Sequence, residues 1–167
     1  MNFGNRVSQI MHDEHCATIA LLQRIERAIG RYAKDERPSD GDPAMAQLLA
    51  DMLTGLTVEL GRHFDFEEAE LFGYLTAASD SELAQHLADE HVGIRRTAAS
   101  LVDVVREARK QGFDAARWAE FRRLGLELCD SLANHALRED GALLPLLEDS
   151  MDAETEARLY QAYLETT

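Results

Sequence analysis

The sequence predicts an all-α protein, an antiparallel up-down four-helix bundle with a short fifth helix at its C-terminal end. Three observations support this fold class. Apolar residues recur at spacings of three and four along almost the whole chain. Glycine and proline are few and clustered, so they separate long helices rather than interrupting them. The 167 residues, 46% of them hydrophobic, suffice for one domain with a sizeable core.

The helix boundaries follow from capping residues, turns and breaks in the apolar pattern. The predicted helices span about residues 7–33, 43–77, 81–110, 115–140 and 152–166. Asp42 and Pro43 are typical of a helix start, with an aspartate cap before a proline at the first helical position. Asp114 is the corresponding cap of the fourth helix. Ser79-Asp80-Ser81-Glu82 separates the second helix from the third, and Gly141 marks the end of the fourth.

Charge and composition exclude several classes of function. The formal net charge is −14, from 31 acidic and 17 basic residues, which argues against nucleic acid or an anionic membrane as partner. The chain has no apolar run of about 18 residues and no apolar signal-peptide core, so a cytoplasmic protein is expected. Two cysteines are too few for a disulfide framework. Residues 1–167 are expected to form one domain, with its bundle core at about 8–148.

Histidines and glutamates fall on the apolar stripes of the predicted helices. Two helices carry a His-x-x-x-Glu pair inside the stripe, where the two side chains are neighbours on one face. The other two long helices each carry one histidine within about 50° of the stripe centre. These residues are His15 on the first helix, His63 and Glu67 on the second, His91 on the third, and His135 and Glu139 on the fourth. By contrast, His12, His86 and Asp140 lie about 100° to 120° from their stripes.

Six inward ionisable side chains predict a two-metal centre. Burying such groups without partners costs several kcal/mol each, and a bound metal removes that cost. A lone histidine on an apolar face is usually a hydrogen-bonded core residue, but two His-x-x-x-Glu pairs plus two further core histidines are hard to explain in that way. Imidazole and carboxylate ligands together suit iron, manganese or zinc better than magnesium or calcium. Each glutamate can then bridge two ions.

The histidine motifs resemble those of the hemerythrin-like (HHE cation-binding) family over about residues 8–148. The motifs are His12-Asp13-Glu14-His15, His63-Phe64-Asp65-Phe66-Glu67-Glu68, His86-Leu87-Ala88-Asp89-Glu90-His91, and His135-Ala136-Leu137-Arg138-Glu139-Asp140 leading into Leu143-Leu144-Pro145-Leu146-Leu147. The resemblance implies two iron ions with an oxo or hydroxo bridge and bridging carboxylates. It implies that His15 is the first-helix ligand, and that each His-x-x-x-Glu pair supplies a terminal ligand and a bridge.

Two positions depart from the oxygen-carrying members of that family. Those members have His-x-x-x-His on the third helix, whereas here Glu90 follows His86 by four residues and His91 comes next. They have His-x-x-x-x-Asp on the fourth helix, where this chain offers both Glu139 and Asp140. The stripes favour His91 and Glu139, which resembles a variant with one fewer histidine, found among bacterial iron–sulfur repair proteins and some iron-sensing domains. Glu90 is either an acceptor for a ligand imidazole or a solvated charge.

Three hypotheses for function follow. The first is a di-iron protein that binds or senses oxygen, peroxide or nitric oxide, since fewer protein ligands leave open metal positions. The second is iron–sulfur cluster repair, iron donation, or turnover of peroxide or nitric oxide. The third is an interaction module with a structural metal, such as zinc, that meets a protein partner or a second copy of itself. Manganese is a further alternative to iron. A binding protein is favoured over a dedicated enzyme.

Overall fold

The computed structural model describes residues 3–33, 36–77 and 81–166, and within these ranges the chain is helical and contains no strand. The predicted all-helical class is confirmed. The helices are α1 (Arg6–Gly30), α2 (residues 43–77), α3 (Ser81–Gln111), α4 (residues 115–150) and α5 (Ala153–Glu165). The predicted loop residue Lys34 and the turn residues Ser79 and Asp80 lie outside the described residues.

The two aspartate caps that the sequence predicts, Asp42 and Asp114, are present in the structure. The carboxylates of Asp42 and Asp114 accept hydrogen bonds from backbone N–H groups in the first turns of α2 and α4. Asp152 caps α5 in the same way. Each cap of this kind stabilises its helix by about 1 kcal/mol. At the end of α3, Gly112 adopts a φ of 73° and its N–H donates to the Ala108 carbonyl at 2.8 Å, a conformation that favours glycine.

The four long helices form a closed ring in which each contacts two neighbours. α1 contacts α2 and α4, and α3 contacts α2 and α4. Contacting residues run in opposite order along paired helices, as expected for antiparallel neighbours. Between α1 and α2, for example, Glu14 pairs with Arg62 and Arg24 pairs with Asp51 at 2.5 Å. The fifth helix lies against α1.

The first helix ends earlier than the sequence predicts. α1 stops at Gly30 rather than at Ala33. Just beyond the end of α1, Tyr32 packs edge-on against Trp118 with ring centroids 5.4 Å apart. Its hydroxyl also donates to Asp42 at 3.3 Å. These contacts attach the segment after α1 to α4 and to the start of α2.

The fourth helix continues well beyond its predicted end at about Asp140. It contains a π-helical turn at Glu139–Leu143, where the Leu144 N–H donates to the Glu139 carbonyl, and then reaches Ser150. After that wider turn, Pro145 lies in the first turn of a new α-helical segment. A missing backbone N–H costs little at this position, so the proline does not end the helix.

The second helix contains two π-helical turns of its own. Its five segments are Pro43–Thr54, Gly55–Glu59, Leu60–Phe66, Glu67–Leu71 and Phe72–Ala77. The second π turn begins at Glu67, just as the turn of α4 begins at Glu139, so both predicted bridging residues stand at such a turn. The wider turn shifts the inward face by about one residue. Leu75 is therefore fully buried, while Tyr74 is half-buried and its hydroxyl donates to Ser150 at 3.1 Å.

Apolar side chains form two clusters inside the bundle. One contains Phe64, Trp118 and Phe121, and the other contains Phe66 and Phe72. The buried histidines and glutamates lie where the residues of one cluster give way to those of the other along each long helix. Among the described residues, no helix combines the length and apolar character needed to cross a membrane.

Candidate metal centre

Six buried side chains that can bind metal meet between the two apolar clusters, and we call them the inner cluster. They are His15, His63, Glu67, His91, His135 and Glu139. Each exposes at most 6% of its surface. Their ligand atoms form two groups, and within each group all ligand atoms lie within 4.8 Å of one another. One group holds His15 and His63, the other holds His91 and His135, and both contain the two glutamates.

The imidazoles meet in pairs through their Nε2 atoms. Nε2 of His15 lies 3.2 Å from Nε2 of His63, and the corresponding distance between His91 and His135 is 2.9 Å. Two ligand nitrogens that are each about 2.0–2.1 Å from one ion would be separated by about 2.8 to 3.4 Å, for coordination angles from octahedral to tetrahedral. Each pair therefore has the spacing of two ligands that share an ion.

The two glutamates of the inner cluster are buried without hydrogen-bond partners. Oε1 of Glu67 lies 3.2 Å from His63 Nε2, and Oε2 lies 3.4 Å from His91 Nε2. Oε2 of Glu139 lies 3.1 Å from His15 Nε2 and 3.3 Å from His135 Nε2. These contacts are longer than charged hydrogen bonds of about 2.7–2.9 Å. None of the four oxygens has a hydrogen-bond partner within the described ranges. Because such burial is costly, the residues fit a pair of bound cations.

Four carboxylates around the inner cluster orient the four imidazoles. Each Nδ1–H donates outward to a carboxylate, which fixes the tautomer and leaves the Nε2 lone pair directed at the centre. The pairs are His15 with Asp140 at 2.7 Å, His63 with Glu14 at 2.7 Å, His91 with Glu68 at 2.8 Å, and His135 with Glu90 at 2.9 Å. We call these four acceptors the outer carboxylates. Each precedes or follows an inner-cluster residue in sequence, yet accepts from the histidine of a neighbouring helix, so the contacts close a ring around the bundle.

Each outer carboxylate also contacts a basic side chain. The pairs are Glu14 with Arg62, Glu68 with Arg95 at 3.2 Å, Glu90 with Arg138, and Asp140 with His12 at 2.9 Å. Burial alone would raise the pKa values of Glu14, Glu90 and Asp140, but their hydrogen bonds and these charges outweigh burial and lower them. The three carboxylates therefore stay ionised and hold the imidazole N–H groups firmly.

In the metal-free protein the pKa values of the two inner-cluster glutamates shift in opposite directions. Burial and the charge of Glu139 raise the pKa of Glu67. Burial would also raise the pKa of Glu139, but contacts with His135 and His15 outweigh it and lower that pKa. Burial would lower the pKa of His15, yet its carboxylate partners raise it to about 9, whereas burial and the charge of His135 lower the pKa of His91 to about 4. A bound metal must therefore displace protons from the site.

Aromatic packing holds the His91 side of the centre. The Phe64 ring stacks on the imidazole of His91 with centroids 3.6 Å apart and an interplanar angle of 11°. Phe64 also meets His135 edge-on at 5.4 Å. Phe72 contacts His91 at 5.3 Å from the other apolar cluster. These rings exclude water and restrict imidazole rotation.

Periodicity did not identify most of the outer shell. It raised Glu90 as a possible acceptor, and the structure places Glu90 in that role. Asp140 and His12 lie off their apolar stripes as predicted, yet they bond to each other and Asp140 accepts from His15. Glu14 and Glu68 were missed as acceptors, although each is the sequence neighbour of an inner-cluster residue, which is the one local signal available.

The family comparison agrees with this geometry. The sequence profile of the hemerythrin HHE cation binding domain matches residues 6–147. The chain belongs to this family. The hemerythrin-like match contains the inner cluster and all four outer carboxylates, and it ends before α5. A comparison with curated proteins gave no significant match. Membership supports cation binding by a helical bundle, and the two His/Glu groups place donor atoms close enough together to hold a metal ion.

Replacing an outer carboxylate is expected to weaken metal binding in this hemerythrin-like protein. Glu90→Gln removes the charge that holds both His135 and Arg138, so the imidazole is less basic and less well oriented. We expect metal affinity to fall by about 10- to 100-fold. Chelator competition measures this change. The control is Asp89→Asn, an exposed neighbour that accepts from Gln85 and should leave affinity unchanged. Wild-type affinity in Glu90→Gln would show that the outer shell does not support the site.

Proposed function

We propose that this hemerythrin-like protein holds two iron ions in its inner cluster and uses them to bind or sense oxygen, peroxide or nitric oxide. The observation that carries the proposal is the sharing of Glu67 and Glu139 by both groups of ligand atoms. The protein would thus supply two imidazoles and two carboxylates to each ion. Since bound iron commonly accepts further ligands, positions remain for a small molecule.

The donor set is compatible with iron and disfavours metals that prefer thiolate ligands. Imidazole and carboxylate donors suit iron, manganese and zinc, and the inner cluster contains no thiolate that would favour copper(I) or an iron–sulfur cluster. Iron, when bound, supplies redox chemistry and open coordination positions. The surrounding residues orient the imidazoles, keep Glu14, Glu90 and Asp140 ionised and exclude bulk water with two apolar clusters.

A surface groove between α1 and α4 is consistent with a small ligand. Its volume is about 200 Å³, and its lining includes His15, Asp140, Cys16 and Leu137. The groove therefore reaches the inner cluster beside Asp140. Asp140 is the outer carboxylate whose basic partner is His12, whereas the basic partners of the other three are arginines. A space of this size admits a diatomic molecule or peroxide.

Metal content and spectroscopy test the proposal. We expect protein purified from iron-supplemented cells to contain about two irons per chain. Absorption bands in the near ultraviolet should bleach on reduction and return on exposure to oxygen or another small ligand. Zinc or no metal, together with a featureless spectrum after anaerobic iron loading, would refute the iron proposal.

Further measurements on the same purified protein separate the alternatives. Stoichiometric zinc whose removal unfolds the bundle, with no redox response, would favour a structural metal and an interaction module. Iron that leaves the protein readily for an acceptor would instead favour iron donation or cluster repair. Catalytic loss of peroxide or nitric oxide in the presence of a reductant would favour detoxification.

A further inference from the structure

The fifth helix is attached to the bundle close to the metal centre, although it lies outside the residues that the family profile matches. Arg6 of α1 donates to Glu156 at 2.9 Å and its guanidinium lies 4.4 Å from the centre of the Tyr160 ring. Arg158 donates to Glu70 of α2 at 2.8 Å. Because these contacts involve both α1 and α2, α5 spans the two helices that carry His15 and His63.

One residue of α5 contacts an outer carboxylate. The hydroxyl of Tyr163 donates to Glu14 Oε1 at 2.6 Å, while Glu14 Oε2 accepts from His63 Nδ1 at 2.7 Å. Arg62 contacts the same Glu14 oxygen and donates to the Tyr163 hydroxyl at 3.2 Å. Burial and the bond to Glu14 raise the pKa of Tyr163 to about 12, so the hydroxyl keeps its proton. The Tyr163 ring packs edge-on against Phe66 at 5.4 Å.

This contact makes the two sides of the centre unequal. Of the four outer carboxylates, Glu14 is the one that receives a tyrosine hydroxyl within the part of the chain that the structure describes. Both of its oxygens are engaged, and its side chain is 19% exposed, whereas the side chain of Glu68 is 41% exposed. His63 therefore has a more tightly held carboxylate partner than His91.

We propose that Tyr163 is a positioning residue that orients Glu14 and, through it, the imidazole of His63, so that α5 sets the metal affinity of the His15–His63 side of the centre. This inference rests on the proposed two-metal function. Without the hydroxyl, Glu14 is free to rotate toward Arg62 alone, and the Nδ1–H of His63 loses a fixed acceptor. A less oriented and less basic Nε2 binds a cation more weakly.

The test is an anaerobic titration with Co²⁺, followed by visible absorption. Tyr163→Phe keeps the ring and removes the hydroxyl, and we expect one of the two binding steps to weaken by about 3- to 10-fold while the other is unchanged. Tyr160→Phe on the same helix is the matched control, since its ring contacts Arg6, and it should titrate as wild type. Glu14→Gln should weaken the same step, and adding Tyr163→Phe to it should cause little further loss because the two residues act together.

Two results would overturn this inference alone. In the first, the wild-type protein binds two Co²⁺ ions and the Tyr163→Phe variant binds both with unchanged affinity. The other is an effect of Tyr163→Phe that is equally large in the Glu14→Gln background or equal at both steps, because this would reflect helix packing. Wild-type protein that binds no Co²⁺ would instead reject the proposed two-metal function, and this inference with it.

Discussion

Replacement of Glu67 by glutamine is expected to eliminate binding of the metal pair and to leave the metal-free bundle folded. Glu67 directs one oxygen toward His63 and the other toward His91, so it can serve both ions at once. A neutral amide is a poor bridging ligand, and we expect the affinity for the pair to fall by about 100-fold or more, beyond the usual effect of an outer-shell change. Metal analysis after dialysis against a weak chelator measures the loss.

The metal-free stability of this variant provides a second, independent readout. Burial and the charge of Glu139 raise the pKa of Glu67, which means that its ionised form is disfavoured without metal. Glutamine should therefore change the free energy of unfolding of the chelated protein by no more than about 1 kcal/mol.

The control for this variant is Glu70→Gln, in the same π turn, where Glu70 contacts Arg158 at the surface. Loss of an exposed pair costs about 0–1 kcal/mol and should spare the metal. Two tightly bound ions in Glu67→Gln would refute the bridging role.

Replacement of His91 by alanine is expected to have the second large effect, and His86→Ala is its matched control on the same helix. His91 is fully buried with its Nε2 beside that of His135, whereas the side chain of His86 is 56% exposed and contacts Glu90 at 3.4 Å. We expect His91→Ala to lose the ion of the His91–His135 pair. His86→Ala should retain both ions.

The size of the stability change follows from ligand linkage. A ligand present at 1,000 times its dissociation constant stabilises the folded state by about 4 kcal/mol. For a chain of this length about 1 kcal/mol corresponds to about 2–4 °C in Tm, so the loss of a tightly bound ion should lower Tm by about 8–16 °C. Thermal unfolding with and without chelator measures this difference. His86→Ala with the larger loss of metal and Tm would reverse the assignment of the third-helix ligand.

Helical periodicity predicted the inner cluster well because it depends on angles around one helix axis. The His-x-x-x-Glu spacing of His63 and Glu67 places both side chains on one face whatever the neighbouring helices do. The same reasoning preferred His91, which is buried in the structure, over His86, which is exposed. The assignment of these residues as metal ligands stays a prediction until metal is measured.

The helix ends were predicted less accurately where backbone geometry departs from the regular α-helix. Gly141 suggested that the fourth helix ends at about Asp140. The π turn that begins at Glu139 resets the hydrogen-bond pattern, and the helix continues. A sequence pattern that assumes 3.6 residues per turn cannot register such a change in pitch, which also explains why Leu75 rather than Tyr74 faces the core.

The sequence by itself determined the helical class, the family and the six inward side chains, since each depends on residue type and on spacing within one helix. Only the tertiary structure decided which carboxylate supports which imidazole. Glu14 is next to His15 in sequence but accepts from His63, because the height and rotation of α1 against α2 depend on packing between helices. For the same reason the contact of Tyr163 with Glu14 could not be predicted: 149 residues separate them, and only the docking of α5 brings them together.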